Sequence, residues 1–197
     1  MQIPRHIIEE QPLAVKRNYE YWSQIMDNTL TFGLTDSLIH TREHCRRVLL
    51  YALMLGWQRV GERGNALRVL SQAAIFHDTR RQNDWLDVGH GARAAKYYLD
   101  FCSTHDIPCS VIAAGIIQYH DRNDRVGIKN LSITCREEKE LAIELYCIFK
   151  DADALDRFRL GPNGLDSRFL RTKEALDNCR FANNLVRKTT CVLNTWV

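Results

Sequence analysis

Six side chains in this sequence are of types that bind divalent cations, and they sit on or at the ends of apolar helical patterns. The plainest case is Ala73-Ala74-Ile75-Phe76-His77-Asp78, an apolar run that ends in an imidazole and a carboxylate. Leu67, Leu70, Ala73, Ala74 and His77 recur at three- and four-residue steps, which turns His77 toward the packing face of a helix. A polar group buried there without a partner costs roughly 2–7 kcal/mol. A backbone carbonyl would satisfy a lone histidine; a cation would satisfy the imidazole and the carboxylate together. His44 aligns with Val48, Tyr51 and Leu55, and His120 shares a face with Ile112, Ile116 and Tyr119. His90 opens a helix between Gly89 and Gly91, where a ligand or another backbone can approach closely. Asp153 follows Ala142, Leu145 or Tyr146, and Phe149, so it points inward, and Asp156 lies one turn further on to support it. His40 is on roughly the same face as His44, nearer the helix start. Taken singly, each of these side chains has a structural reading. Taken together, His44, His77, Asp78, His90, His120 and Asp153 supply nitrogen and oxygen ligands from five helices or helix ends. Imidazole with carboxylate and no thiolate suits Mn, Ni, Co, Fe or Zn and argues against a closed structural zinc site.

The elements that must position these groups read as helices throughout. Leu13 to Asn28 is amphipathic, with Tyr19, Trp22, Ile25 and Met26 as its apolar face. Thr35, Asp36 or Ser37 offers an N-cap for a long helix to about Leu55, with Gly56 as terminator. Gly61 and Gly64 bracket a turn before the helix that ends at His77-Asp78. Thr79 to Gly89 is a polar loop, His90 to Cys102 a helix, and Pro108 suits the first turn of the helix to His120. Asp121 to Leu131, with Gly127, reads as a second loop. A long helix is expected from Arg136 to Phe158, with Glu137, Glu140, Glu144 and Asp151 on its solvated face. Gly161-Pro162-Asn163-Gly164 is a turn, and Ser167 to Trp196 the last helical region. The expected fold is an all-α, single-domain helical bundle, organised as a helical extension over 1–35, a ligand-bearing core over 36–160 and a C-terminal helix over 161–197.

Composition narrows the functional classes. With 45% hydrophobic and 26% charged residues, 197 residues can build one substantial core. A net charge of +3 is too mild to argue for nucleic acid as the main partner, but it fits a pocket for small anions. The seven cysteines form no Cys-x-x-Cys pair and no even-numbered framework, so reduced thiols in a cytoplasmic protein are expected. The first eleven residues lack the apolar core of a signal peptide, and the most apolar run, Val48 to Trp57, is about half a membrane span. No membrane association is expected. Trp57, Trp85 and Trp196 are open to three roles: core, a base-stacking pocket, or an interface such as that of a homodimer.

In chain order, His44-x-x-Arg47-Val48, then His77-Asp78, then Ala152-Asp153-x-Leu155, this sequence resembles the HD-domain superfamily of metal-dependent phosphohydrolases. The stretch FHDTRRQNDWLDVGHGARAA is similar to its small stand-alone members, in which a second histidine follows the His-Asp pair. The resemblance spans Leu38 to Arg159, nearly two-thirds of the chain. It implies a fold of the HD-domain type with one ion held by His44, His77, Asp78 and Asp153. His90 and His120 match the positions that hold a second ion in two-metal members, and Asp78 would then bridge the two. No Gly-Tyr-Pro stretch follows His120-Asp121, which disfavours the cyclic-dinucleotide phosphodiesterase branch.

The implied activity is hydrolysis of a small phosphorylated substrate, a nucleotide or another phosphate ester or anhydride, by metal-activated water, with Asp78, His90 and His120 at the catalytic centre. Arg80, Arg81, Arg122 and Arg125 directly follow ligand positions and are the candidate phosphate-binding cations; each can equally be a solvated loop charge. Arg47 is placed to pair with a carboxylate. Asp121, Asp84 and Asp87 are equivalent candidates for the general acid. A di-iron oxygenase on the same scaffold and a non-catalytic metal- or nucleotide-binding signalling module are the alternatives.

Overall fold

The structure is a computed structural model that describes residues 2–37, 39–63, 65–161 and 163–189. Leu38, Gly64, Pro162, Cys191 and Trp196, all of which entered the sequence reading, lie outside the described residues. Among the described residues there are ten α-helices and no strand. They run α1 (Arg5–Glu9), α2 (Leu13–Thr29), α3 (Arg42–Val60), α4 (Ala66–Phe76), α5 (His90–His105), α6 (Val111–Tyr119), α7 (Asp124–Thr134), α8 (Lys139–Leu155), α9 (Lys173–Asp177) and α10 (Cys179–Thr189). No described helix is long and apolar enough to cross a membrane.

α3 and α4 form the centre of the bundle. Every residue of α3 from Arg47 to Gly56 is buried, and α4 is buried along almost its whole length, the pattern of helices surrounded by others. α8 packs across both, α2 covers them with Val15, Tyr19, Trp22 and Met26, and α10 closes the far side with Ala182, Leu185 and Val186. α5 and α6 form an antiparallel pair beside α4.

Several boundaries differ from the sequence expectation, each for a local reason. α3 starts at Arg42, because the Thr41 side chain accepts from the His44 N–H at 3.3 Å, and it runs through Gly56. A Cβ on Gly56 would lie 2.4 Å from Leu70 Cδ1, so this glycine permits close packing of α3 on α4. The terminator is Gly61, at φ 59°. α6 begins after the Ser110 cap, not at Pro108, and α5 continues to His105. The expected loop over 121–131 is largely α7: the Asn123 side chain caps it, Leu131 anchors it, and Gly127 lets it press against the Tyr146 ring. α8 is shorter than expected, with 3₁₀ turns over Arg136–Glu138 and Asp156–Leu160 at its ends. Beyond Gly161 the described chain is a 3₁₀ turn, α9 and α10 rather than one helix.

Gly91 matters most for the site. A Cβ there would fall 2.7 Å from the Ile117 carbonyl oxygen and 2.9 Å from that of Gln118, so only glycine lets the start of α5 rest on the end of α6. Gly91→Ala must push two backbones apart. It should cost about 1–3 kcal/mol, the range for overpacking, read from the midpoint of urea unfolding. An unchanged midpoint would mean that the two helices are not held at this distance.

Candidate metal centre

The six expected ligands converge. Helix ends deliver most of them: His77 and His120 cap the C-termini of α4 and α6, His90 opens α5, and Asp153 lies in the last turn of α8. His44, Asp78, His77, His90 and His120 are all buried.

The hydrogen bonds fix the orientation of each ring. Nδ1 of His77, His90 and His120 lies 2.9, 2.7 and 2.7 Å from the carbonyl oxygens of Ala74, Asp87 and Ile117. A carbonyl can only accept, so each Nδ1 donates, and in the neutral ring the lone pair is left on Nε2. His44 Nδ1 donates likewise to Asp156 Oδ2 at 2.7 Å. The four Nε2 atoms then meet in pairs, His44 with His77 at 3.1 Å and His90 with His120 at 2.8 Å. Two lone pairs facing each other at that distance in a buried site repel unless a cation lies between or beside them. Burial pushes the His77 pKa down to about 3, so a proton between the rings of this pair would be carried by His44 and not by His77.

Carboxylates complete two groups. Asp153 Oδ1 lies 3.4 Å from His44 Nε2 and 3.9 Å from His77 Nε2, and Asp78 Oδ2 lies 3.5 and 3.7 Å from the same two atoms. Asp78 Oδ1 faces the other pair, at 3.1 Å from His90 Nε2 and 3.7 Å from His120 Nε2. Asp78 therefore belongs to both groups, one oxygen to each. Burial opposes its ionisation, but the surrounding imidazoles outweigh this and hold its carboxyl well below the usual range. For Asp153, burial is likewise outweighed by His77 and His44, and its pKa falls to about 2. For His44, burial and Arg159 act downward, while Asp156 and Asp78 raise its pKa on balance; for His90, burial is outweighed by Asp78 and the Asp87 carbonyl. Buried His/Asp groups of this kind fit a divalent cation by donor type and convergence: His44, His77 and Asp153 form one such set, and His77, Asp78 and His120 another.

Around the ligands, Asp156 holds His44 and is itself held by Arg47, whose Nε and Nη2 donate to its two oxygens at 2.6 and 3.0 Å. This is the carboxylate partner expected for Arg47 and the support expected of Asp156. His40 is turned to Asp84, at 3.0 Å through Nδ1, and Asp84 also accepts from Ser37. Asp87 is bound by Arg93 and the Gln82 N–H. Of the three aspartates considered as acids, Asp121 alone borders the cleft described below; its Oδ2 accepts from the Gly89 N–H at 2.7 Å, and its buried Oδ1 has no hydrogen-bond partner.

The candidate phosphate-binding arginines divide. Arg81 joins the centre, with Nη1 3.6 Å from Asp78 Oδ1 and 3.3 Å from His90 Nε2. Arg80 lies flat over the Tyr97 ring, 3.3 Å from its centroid, and donates to the Thr31 carbonyl. Arg122 stands beside Asp121 at 3.5 Å, and Arg125 is exposed on the first turn of α7.

A cleft of about 540 Å³ opens from the centre, with His120, Asp121 and Asp153 at one end. The Asp153 side chain is 32% exposed, far more than its fellow ligands. Three cations border this cleft that the sequence reading did not single out: Lys150, Arg157 and Arg171. Lys150 and Arg157 stand three residues before and four after Asp153, so helical spacing could have found them. Lys150 donates to the carbonyls of His120 and Arg122 at 2.6 and 3.1 Å and so holds the end of α6. Arg171 is bound to Asp124 and Asp151. Asp151, expected on a solvated face, is instead buried: it accepts from the N–H groups of Arg171 and Thr172 and from the Thr172 hydroxyl. Trp85 is 85% exposed and Trp57 partly buried.

Comparison with protein-family models, with curated proteins and with solved structures gave no match to this chain.

The division into two groups predicts metal stoichiometry. Elemental analysis after loading with Mn²⁺, Ni²⁺ or Co²⁺ should give about two ions per chain for the wild type, a count that follows from two ligand groups. His44→Ala and His90→Ala should each lose one ion, and Asp78→Ala both, with helicity checked by circular dichroism. If His90→Ala kept the wild-type content, the second group would be no metal site.

Proposed function

We propose that this protein is a metal-dependent phosphohydrolase that acts on a nucleotide or another small phosphate ester or anhydride. The observation that carries this reading is the convergence of four histidines with Asp78, which faces both histidine pairs, and Asp153, beside a cleft bordered by cations. The resemblance of the ligand order to HD-domain phosphohydrolases points the same way. A divalent ion held by His44, His77, Asp78 and Asp153, with a second at His90 and His120, would lower the pKa of bound water toward neutrality and offset charge on phosphoryl oxygens.

The chain's own groups have separable roles in this reading. Asp156 and the carbonyls of Ala74, Asp87 and Ile117 keep Nδ1 protonated, so that Nε2 is the ligand atom of each ring, with Arg81 also within reach of that of His90. Arg81 offsets the Asp78 charge from inside the protein. Arg157 donates through Nε to the Gly164 carbonyl, which leaves its terminal nitrogens for an anion in the cleft. An iron pair is a second reading, because two nitrogen and oxygen ligand groups joined by a carboxylate also suit it; dioxygen consumption with bound iron would distinguish it.

The direct test is phosphate release from a panel of nucleotides and a generic phosphodiester with added Mn²⁺, Ni²⁺ or Co²⁺. Wild type should turn over, and His77→Ala and Asp153→Ala should lose activity by about 10²-fold or more. Metal binding without hydrolysis of any of these would remove the hydrolase reading.

Acid should release the metal, because protons compete for the same Nε2 lone pairs. His44 and His90, whose pKa values lie above the ordinary histidine value, take up protons first as pH falls, and His77 last. Metal occupancy and activity should therefore fall together as pH is lowered into the histidine range, followed by dialysis at stepped pH. Full occupancy retained at pH 4 would contradict imidazole ligation.

A further inference from the structure

Part of the cleft's wall is the irregular segment over residues 163–172, before α9, and its construction bears on which substrates fit. Asn163, Gly164, Leu165, Asp166, Phe169 and Arg171 border the same cleft as His120 and Asp153. A segment with so little regular structure is held unusually firmly. The fully buried Asp151 carboxylate accepts from two of its N–H groups, the Thr172 hydroxyl and Arg171 Nη1, while Arg171 also bridges to Asp124. At its other end, Arg157 donates to the Gly164 carbonyl at 2.9 Å, and the Asp166 side chain caps the 3₁₀ turn Ser167–Phe169.

What this anchoring presents is the Phe169 ring, 72% exposed on the border of a polar cleft. The Phe169 carbonyl accepts from Arg171 Nη1 at 3.1 Å, so the residue is fixed through its backbone while its ring is left uncovered. A fixed, exposed aromatic face takes a flat ring by stacking. His120, Asp153 and Arg157 on the same cleft have the chemistry for a metal-bound phosphoryl group, and a cleft of about 540 Å³ is in the range that encloses a small organic ligand.

We infer that the substrate is a phosphate ester carrying a planar heterocycle, a nucleoside phosphate, with its base stacked on Phe169 and its phosphate toward Asp153 and Arg157. This rests on the phosphohydrolase reading and narrows it: sugar phosphates and inorganic pyrophosphate have nothing to place on the ring. Asn163 at the same border offers both an amide donor and an amide acceptor to the edge of a base.

The test is calorimetric titration of adenosine 5′-monophosphate, ribose 5-phosphate and inorganic phosphate into the metal-loaded wild type, Phe169→Ala and Phe169→Trp. Wild type should bind the nucleotide roughly ten-fold or more tighter than ribose 5-phosphate, within what one base–aromatic stack supplies. Phe169→Ala should abolish that difference without altering the ribose 5-phosphate affinity, and Phe169→Trp should keep it. Equal affinity of wild type for the two esters, a difference that survives in Phe169→Ala, or no binding of the nucleotide would each overturn the inference. The two readings fail separately. Phe169-dependent nucleotide binding without phosphate release under any metal would keep the stacking site and remove the hydrolase. Hydrolysis of ribose 5-phosphate as fast as the nucleotide would do the reverse.

Discussion

Two close contacts between ring nitrogens, His44 with His77 and His90 with His120, are the constraint on which the centre depends. Each ring has donated its only proton outward, to a carbonyl or to Asp156, so neither contact can be a hydrogen bond between neutral rings. Left alone, such an arrangement would relax by rotating a ring or taking up a proton. Tight packing blocks the first route: His77 is enclosed by the rings of His44, His120 and Phe149. Burial opposes the second at His77, whereas the carboxylates beside His44 and His90 favour it at those two rings. The fold thus aims four ring nitrogens and one shared carboxylate at a small volume, an arrangement that needs positive charge, from protons or a divalent cation, and that a purely apolar core does not supply.

Backbone packing enforces this convergence. α3, α4 and α8 bring His44, His77 and Asp153 together because their apolar faces pack on one another, and Gly56 leaves room on α3 for the Leu70 side chain of α4. The α5–α6 pair does the same for His90 and His120 through Gly91. Asp78 follows His77 directly at the end of α4, so a single helix terminus supplies one group with a nitrogen and an oxygen and the other with an oxygen. One ion-pair network then stiffens the frame from behind. Arg47 grips both oxygens of Asp156, and Asp156 grips His44, so a displacement at any of these residues is felt at Nε2.

The ligands were legible in the sequence where a local pattern revealed them. His44, His77 and His120 continue apolar helical spacings, and the glycines flanking His90 marked a close approach. The all-helical class followed from the same spacings and the scarcity of proline. What was not legible depended on partners distant in the chain. Asp151 continues a row of glutamates and reads as solvated, yet its partners Arg171 and Thr172 lie twenty residues on, beyond a turn. Gly127 was read as a loop residue because its contact, the Tyr146 ring, lies on another helix. Arg80 directly follows two residues of the Phe76-His77-Asp78-Thr79 turn region, but adjacency along a tight turn says nothing about direction, and its guanidinium leaves for Tyr97. Local periodicity resolves which face a side chain occupies; it is silent on what comes to meet that face.

The placement of the cleft adds a further constraint on any chemistry here. Of the six ligands, the two that border it are Asp153, from the His44–His77 group, and His120, from the His90–His120 group. The other four lie behind them. A molecule in the cleft therefore borders a member of each group, Asp153 of one and His120 of the other. The cations are distributed in keeping with this. Arg81 is buried against the shared carboxylate, where it can balance charge but not reach far into the cleft, whereas Arg157 is one turn beyond Asp153 with its terminal nitrogens unbonded. Charge that holds the site together and charge available to a ligand are thus carried by different side chains. The fold can keep the centre intact with the cleft empty and still have a cation to offer when an anion arrives.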